Sequence, residues 1–334
     1  MIDTQQIWSH LDGLAKPRRS LGKLEELAVR LASIQGTVKP VTRPRRLVLF
    51  AGDHGVVARG VSAWPSEVTG LMVGTILMGR ATSSALAAAH ECSVRLVDVG
   101  VASTRVASPP PFFRDARIAN GTQDLSTQPA MTDVQFDAAW QVGADEAEQA
   151  VSEGNRVLIA GEMGIGNTTP AACLTMLFTG IPADIAVGRG AGADGAILQT
   201  KRAVVAAAVG SSRPSRAALE ALAGFEIVAM AGFFARGARL GATLLVDGYV
   251  ATSAALIAEH LQPGTARSMI AAHRSAEPGH GAALESLGLD PLLDWSMRLG
   301  EGTGALVALP LLDSAAALLC DVAALSELGV ARED

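Results

Sequence analysis

Short apolar runs alternate with longer helix-like segments along most of the chain, and this alternation predicts strands joined by helices. Five apolar runs that contain or lead into glycine or polar residues are predicted as strands: LVLFAG (47–52), SVRLVDVGV (93–101), RVLIAG (156–161), TLLVDGY (243–249) and RSMIAAHRS (267–275). Apolar strands separated by helices are typical of a parallel sheet that is covered on both faces. We therefore predict an α/β fold, with a three-layer Rossmann-like parallel sheet and helices on both faces.

Helix patterns occupy most of the remaining chain. VTGLMVGTILMGRATSSALAAAH (68–90) is predicted as one long helix of small residues, and GALVALPLLDSAAALL (304–319) as a nearly all-apolar, buried one. The first 35 residues are also predicted to be helical, with Ser20 as a helix cap. The connector TVKPVTRPRR (37–46) is rich in proline and arginine and marks a boundary. We predict a small helical N-terminal appendage over 1–40 and an α/β domain over 41–334.

Composition narrows the classes of protein to which this chain can belong. Of its 334 residues, 49% are hydrophobic and 18% charged, so it can bury a sizeable core. The net charge is -6, and the sequence has no basic stripe of the kind that nucleic-acid binding requires. The three cysteines are far apart, and the N-terminus lacks the apolar stretch of a signal peptide. Glycine, proline or charge interrupts every long apolar run, so we predict a cytoplasmic protein without a membrane span.

Polar residues follow the predicted strands, where ligands of parallel sheets bind. They are Asp53-His54-Gly55, Asp98, Glu162, Asp247-Gly248 and His273-Arg274-Ser275. Several acids, two histidines and an arginine are thus expected at one edge of the sheet. Turn and helix-start chemistry explains part of any such set, so this pattern alone leaves both interpretations open.

The strongest single motif is GEMGIGNTTP (161–170), a glycine turn between a strand and a helix. Gly164 and Gly166 allow the backbone to approach a ligand, Thr168 or Thr169 can cap the helix, and Pro170 suits its first turn. Unpaired amides at a helix start favour a phosphate. The motif is neither a Walker A loop nor GxGxxG, so it indicates a phosphate monoester or a plain tight turn.

Two further glycine clusters contain candidate chemistry. VGRGAGADG (187–195) precedes a helix that carries Lys201, a possible phosphate partner or an ordinary surface lysine. In MRLGEGTGA (297–305), Glu301 lies between two glycines before the apolar helix. An acid beside apolar side chains has a raised pKa that suits a general base. Its position near a helix start is also favourable without any catalytic role.

Eight segments together resemble the nicotinate-nucleotide–dimethylbenzimidazole phosphoribosyltransferase family. They are SLGKLEELA (20–28), AGDHGV (51–56), GVSAWPSEVT (60–69), GEMGIGNTTPAA (161–172), GFEIVAMAG (224–232), VDGY (246–249), HRSAEPGH (273–280) and MRLGEGTGA (297–305). The resemblance implies transfer of a 5-phosphoribosyl group from nicotinate mononucleotide to 5,6-dimethylbenzimidazole, giving α-ribazole 5′-phosphate and nicotinate, as in cobalamin lower-ligand synthesis. It also implies a homodimer.

The resemblance assigns roles to residues of this chain. Glu301 is implied to be the catalytic base and Glu162 a supporting acid in the active site. The residues implied to bind the phosphate and nucleotide are Gly164, Ile165, Gly166, Asn167, Thr168, Lys201 and Ser275. Those implied to form the benzimidazole pocket are Ser62, Trp64, Pro65 and Met72. The sequence differs from the family pattern in two places: it has KPRRS (16–20) in place of KPPGS, and Met72 where some members have glutamine. These differences leave open which benzimidazole is preferred.

The implied reaction requires few catalytic side chains. The pyridine nitrogen leaves as a neutral ring, and a single carboxylate suffices to take the proton of the incoming base. The phosphate stays on the sugar, so we predict no metal and no cofactor. One competing hypothesis is a metal-assisted phosphohydrolase that uses Asp53, His54, Asp247 and His273. The other is a non-catalytic nucleotide sensor. Asp53-His54 could form an acid–base pair or half of a metal site, and we favour structural hydrogen bonding at the crevice rim, because the reaction needs only one base.

Overall fold

One parallel sheet forms the centre of the molecule. The computed structural model describes residues 2–102, 106, 108–190 and 192–329. Within these ranges the strands are β1 (Arg45–Gly52), β2 (Ser93–Gly100), β3 (Phe113–Asp115), β4 (Val157–Met163), β5 (Thr243–Val246), β6 (Met269–His273) and β7 (Pro291–Leu293), in the order β3-β2-β1-β4-β5-β6-β7. The five predicted strands correspond to β1, β2, β4, β5 and β6. The edge strands β3 and β7 were not predicted.

Helices cover both faces of the sheet. They are α1 (Thr4–Asp12), α2 (Lys23–Gln35), α3 (Glu67–Leu77), α4 (Thr82–Ala89), α5 (Asp133–Ser152), α6 (Thr168–Thr179), α7 (Ala183–Ala186), α8 (Gly195–Val209), α9 (Arg216–Leu222), α10 (Phe225–Arg239), α11 (Tyr249–Leu261), α12 (His280–Ser286) and α13 (Thr303–Asp321). Alternate residues of β1 enter two separate cores, since Val48 and Phe50 join one and Leu47 and Leu49 the other. The predicted three-layer α/β fold is confirmed.

The predicted helix over 68–90 is wrong as a single element. It is divided into α3 and α4, because Gly79 adopts a left-handed φ of 68° between them. The small-residue pattern continues across the break, which is why the pattern predicted one helix. The Ser20 cap is also wrong, since α2 begins at Lys23 after Gly22 without a side-chain cap.

The N-terminal helices share one of the two cores with the rest of the chain. Ile7 and Leu11 of α1 and Leu27 of α2 belong to the same buried cluster as Leu47 of β1 and Leu309 of α13. An isolated backbone bridge joins Leu14 to Ala324. The division of the chain at residue 40 stays a prediction.

Two helical stretches are long and apolar enough to cross a membrane by length and composition alone. They are residues 67–89 and 303–321. The first is divided at Gly79. The second, α13, packs in the core against Leu47 and Ile159 of the sheet, which is the position of a core helix.

Helices α5 and α10 cross at glycine. A Cβ on Gly143 of α5 would collide with the backbone carbonyl of Ala229, and one on Gly232 of α10 with that of Trp140. Gly143→Ala is therefore expected to lower Tm by about 1–4 °C, since overpacking costs about 1–3 kcal/mol and the unfolding entropy of a chain of this length is large. Thermal unfolding followed by circular dichroism measures this. Gly195→Ala, at an exposed site with open space, is the control, and equal Tm values for both variants would contradict the crossing.

Candidate active site

A cavity of about 380 Å³ opens at the carboxyl edge of the sheet. This volume is within the range of small-molecule sites. It brings together twelve of the thirteen predicted site residues: Ser62, Trp64, Met72, Glu162, Gly164, Ile165, Gly166, Asn167, Thr168, Lys201, Ser275 and Glu301. Pro65 lies instead on a neighbouring open cavity, beside Asp53 and His54. Asp247 and His273 also line the main cavity.

The loop between β4 and α6 presents backbone amides to the cavity. The Ile165 amide donates to the hydroxyl of Thr69 at 3.1 Å, which fixes the middle of the loop. Among the described residues, the amides of Gly166 and Thr168 have no acceptor within the protein. Asn167, not Thr168 or Thr169, is the N-cap, and it makes no side-chain cap bond. A helix start with free amides is an anion site, so this geometry suits a phosphate.

Glycine is required where this loop touches its neighbours. A Cβ on Gly164 would lie 2.4 Å from the carbonyl oxygen of Gly52 and 3.1 Å from Nε2 of His54. Gly166 adopts a φ of 90°, and a Cβ there would meet a methyl group of Val57. The loop therefore lies directly on the end of β1 and on the imidazole of His54.

Lys201 of α8 supplies a buried cation beside this loop. Its Nζ donates to Oγ1 of Thr168 at 2.7 Å and to the carbonyl of Gly188 at 3.3 Å. Burial lowers the pKa of Lys201 to about 8, and the carboxylate of Glu277 acts in the opposite direction. The second glycine cluster thus adjoins the first, although its Ala191 lies outside the described residues. A bound anion would compensate the buried charge of Lys201.

Glu301 occupies a left-handed turn immediately before α13. The φ angles of Gly300, Glu301 and Gly302 are 86°, 57° and 72°. The turn packs on β4, where a Cβ on Gly161 would lie 2.7 Å from the Glu301 carbonyl carbon. Oε2 of Glu301 accepts a hydrogen bond of 2.8 Å from the Ser83 hydroxyl. Burial raises the pKa of Glu301, Ser83 lowers it, and the charge of Asp247 raises it further.

Glu162, at the end of β4, is neutral at pH 7. Burial raises its pKa to about 8, and the nearby carboxylates of Glu226, Asp247 and Glu301 add to the shift. The side-chain amide of Asn167 donates to Oε2 of Glu162 and lowers the pKa slightly. A protonated carboxyl group can donate a hydrogen bond, so Glu162 presents both a donor and an acceptor to the cavity.

Asp247 holds the start of α13. Its Oδ1 accepts from the amide of Ala305 at 2.9 Å and lies 3.8 Å from Nε2 of His273. Next to this pair, the amide of Ser275 donates to Nδ1 of His280 at 2.7 Å. Burial, together with His273 and Arg274, lowers the pKa of His280 to about 3, so this imidazole is neutral. The bond from Ala305 to Asp247 fixes the start of α13, directly after the turn that carries Glu301.

Asp53 and His54 contact different partners. Nε2 of His54 lies 2.9 Å from Oε1 of Glu226, and both side chains are buried. Burial opposes the charged form, but Glu226 raises the pKa of His54 overall. Oδ2 of Asp53 accepts from the amide of Ala102 at 2.8 Å. In the described part of the chain, no group of three or more His, Cys, Asp or Glu residues is placed to hold a metal ion.

Two predicted strand-end residues, Asp98 and Arg274, lie outside the cavity. Asp98 accepts from the amides of Gly100 and Val101 and pairs with Arg117 at 2.7 Å, away from the cavity. Arg274 is exposed and does not line the cavity. Two contributors were missed, because Thr69 and Ser83 reach the site only through tertiary packing. Gly79 was a signal in the sequence that the helix over 68–90 breaks before Ser83.

Comparison with known proteins gives a consistent result. Residues 3–330 match the sequence model of a family described as phosphoribosyltransferase. A nicotinate-nucleotide–dimethylbenzimidazole phosphoribosyltransferase of Thermus thermophilus is 45% identical over 325 residues, 96% of each chain. Another, of Ralstonia nicotianae, is 43% identical and covers 97% of this chain and 92% of its own. The crystal structure of CobT from Thermus thermophilus superposes with a TM-score of 0.94, at 43% identity and 99% coverage of both chains.

Proposed function

The chain belongs to the nicotinate-nucleotide–dimethylbenzimidazole phosphoribosyltransferase family, and from this premise we propose how its residues carry out the reaction. The enzyme transfers the 5-phosphoribosyl group of nicotinate mononucleotide to 5,6-dimethylbenzimidazole, which makes the nucleotide of the cobalamin lower ligand. The products are α-ribazole 5′-phosphate and nicotinate. The fold and the family are shared with the relatives, and the roles of individual residues below are our proposal.

The reaction is a single displacement at the anomeric carbon. A ring nitrogen of the benzimidazole attacks this carbon, and the bond to the pyridinium nitrogen breaks with its electron pair staying on nicotinate. The second ring nitrogen of the benzimidazole then carries an acidic N–H, whose proton passes to the carboxylate of Glu301. Attack from the opposite face converts the β-linked donor into the α-linked product. Holding both rings at one carbon supplies much of the rate.

The observation that carries this proposal is the placement of two unlike groups in one cavity. A buried carboxylate, Glu301, and an anion site of backbone amides with Lys201 both line the same 380 Å³ space. Burial raises the pKa of Glu301 towards neutrality, which suits a general base. Glu162 is protonated at pH 7, so it adds no second negative charge beside Glu301. The wall with Trp64 and Met72 provides apolar surface for the acceptor ring.

The test of this function is a pair of incubations, with and without EDTA. Protein, nicotinate mononucleotide and 5,6-dimethylbenzimidazole are mixed, and the products are followed by mass spectrometry. We expect equal amounts of nicotinate and α-ribazole 5′-phosphate. Release of inorganic phosphate that EDTA abolishes would support the metal-assisted phosphohydrolase instead. Binding of the mononucleotide without release of nicotinate would support the nucleotide sensor.

We also propose that the chain forms a homodimer through the exposed face of α3. Leu71, within this helix, is 69% exposed, and Met78, directly after it, is 66% exposed. Trp64, just before the helix, is 52% exposed. Large exposed apolar side chains close together in the chain favour an interface at this helix. The apolar face also adjoins the mouth of the cavity, because Trp64 lines it.

Free thiols at Cys92, Cys173 and Cys320 suit the proposed cytoplasmic location.

Leu71→Glu is expected to convert the dimer to a monomer, because it places a charge in the apolar contact. Size-exclusion chromatography with light scattering measures the mass, which should fall from twice the chain mass of 34.3 kDa to that value. Val134→Glu, an equally exposed apolar position on α5, is the control and should stay dimeric. A wild-type protein that elutes as a monomer would refute the proposed interface.

A further inference from the structure

The carboxylate of Glu301 has a side-chain donor that comes from a distant helix. Ser83, the second residue of α4, lies 2.8 Å from Oε2 of Glu301 through its hydroxyl oxygen. The two residues are 0% and 2% exposed, so water does not compete for this bond. The backbone amide of Ser83 also acts on the Glu301 carboxylate and lowers its pKa. The carboxylate therefore sits at the start of α4, with the Ser83 hydroxyl as its hydrogen-bond donor.

We propose that Ser83 is a positioning residue for the phosphoribosyl transfer, fixing Oε2 of Glu301 so that Oε1 faces the incoming benzimidazole nitrogen. This inference rests on the proposed role of Glu301 as the base. Ser83 contacts neither substrate in this scheme and acts only through Glu301. The break in the helix at Gly79 places Ser83 at a helix start. In a continuous helix over 68–90, the amide of residue 83 would be hydrogen-bonded within the helix, whereas at the start of α4 it is free.

The turn around Glu301 fixes its backbone but not its side chain. The left-handed φ values and the contact with Gly161 set the position of the Cα atom. A glutamate side chain has further rotatable bonds, so its carboxylate needs a partner to stay in one orientation. The Ser83 hydroxyl supplies that partner, and one oxygen of the carboxylate remains for the substrate.

The groups that face Glu301 from neighbouring strands are acidic, so its ionised form depends on a hydrogen-bond donor. Glu162 at the end of β4 and Asp247 at the end of β5 face it with carboxyl groups, and His273 of β6 lies behind Asp247. The nearest cation on its own loop, Arg298, is exposed and donates to the carbonyl of Gly190. Burial and the charge of Asp247 raise the pKa of Glu301, whereas the bonds from Ser83 lower it. Ser83 therefore keeps the carboxylate ionised at a lower pH than it would otherwise be.

The test is the pH dependence of kcat at saturating concentrations of both substrates. In Ser83→Ala, the acid limb should move up by about one pH unit, which is about a tenfold loss of kcat at pH values below the limb. At pH values above the limb, kcat should fall by less than this, because the base is then ionised in both proteins and only its orientation is lost. Ser83→Thr retains the hydroxyl and should restore the wild-type limb. Ser84→Ala, a half-buried neighbour on the same helix, is the matched control.

The outcomes separate this inference from the function on which it rests. A shifted limb in Ser83→Ala alone, with Tm unchanged, supports the positioning role. An unshifted limb in Ser83→Ala, together with an inactive Glu301→Gln, overturns the role of Ser83 and leaves the base intact. An active Glu301→Gln overturns both. A uniform fall of kcat at every pH would indicate a merely structural role and also contradicts the inference.

Discussion

Replacing Glu301 with glutamine lowers kcat by about 10²- to 10⁴-fold, which is the range expected when a general base is removed. Glutamine keeps the size of the side chain and still accepts a hydrogen bond from Ser83, but it cannot take the proton of the benzimidazole N–H. KM for nicotinate mononucleotide should stay near the wild-type value, because the proposed phosphate site lies elsewhere in the cavity. Steady-state kinetics with both substrates varied measures the two parameters separately.

The matched control for Glu301 is Glu285→Gln, the same change at an exposed position on α12. It should leave kcat and KM unchanged. A second check is binding of nicotinate mononucleotide to Glu301→Gln by calorimetry, which should match the wild type. Near-normal kcat in Glu301→Gln would exclude this residue as the base, whatever its position in the cavity.

Lys201→Met has the second largest expected effect, and it falls on binding. Loss of a charge-assisted hydrogen bond to phosphate is worth about 1.5–3 kcal/mol, so KM for nicotinate mononucleotide should rise about 10- to 100-fold. The methionine fills most of the buried volume of the lysine, and kcat at saturation should change little. KM for 5,6-dimethylbenzimidazole should also stay near the wild-type value. Initial rates over a range of mononucleotide concentrations give the result.

Lys39→Met, in the exposed connector before β1, is the control for Lys201. It removes the same charge from the protein without touching the cavity, so its kinetics should equal those of the wild type. An unchanged KM in Lys201→Met would show that the phosphate is bound elsewhere. A loss confined to kcat would mean that the lysine acts on the reacting groups instead.

The central strands were predictable because burial on both faces leaves a clear apolar run. β1 and β4 are buried along almost their whole length, and their sequences are mostly apolar. The edge strands β3 and β7 have three residues each, which is too short for a periodic signal. The break between α3 and α4 was missed because a single glycine is tolerated within a helical pattern.

The candidate site was predictable where its chemistry lies in one segment. The loop after β4 and the turn at Glu301 are contiguous motifs, and the structure places both in one cavity. The bond from Ser83 and the support from Thr69 were not predictable, since they join segments far apart in the chain. The protonated state of Glu162 also depends on burial and on three neighbouring carboxylates, which only the folded chain brings together.

A crystal structure with bound α-ribazole 5′-phosphate and nicotinate tests the account most directly. It should place the free ring nitrogen of the benzimidazole about 2.6–3.2 Å from Oε1 of Glu301, with the phosphate on the amides of Gly166 and Thr168. A phosphate bound away from that loop, or a benzimidazole nitrogen with no direct or water-bridged contact to Glu301, would contradict it.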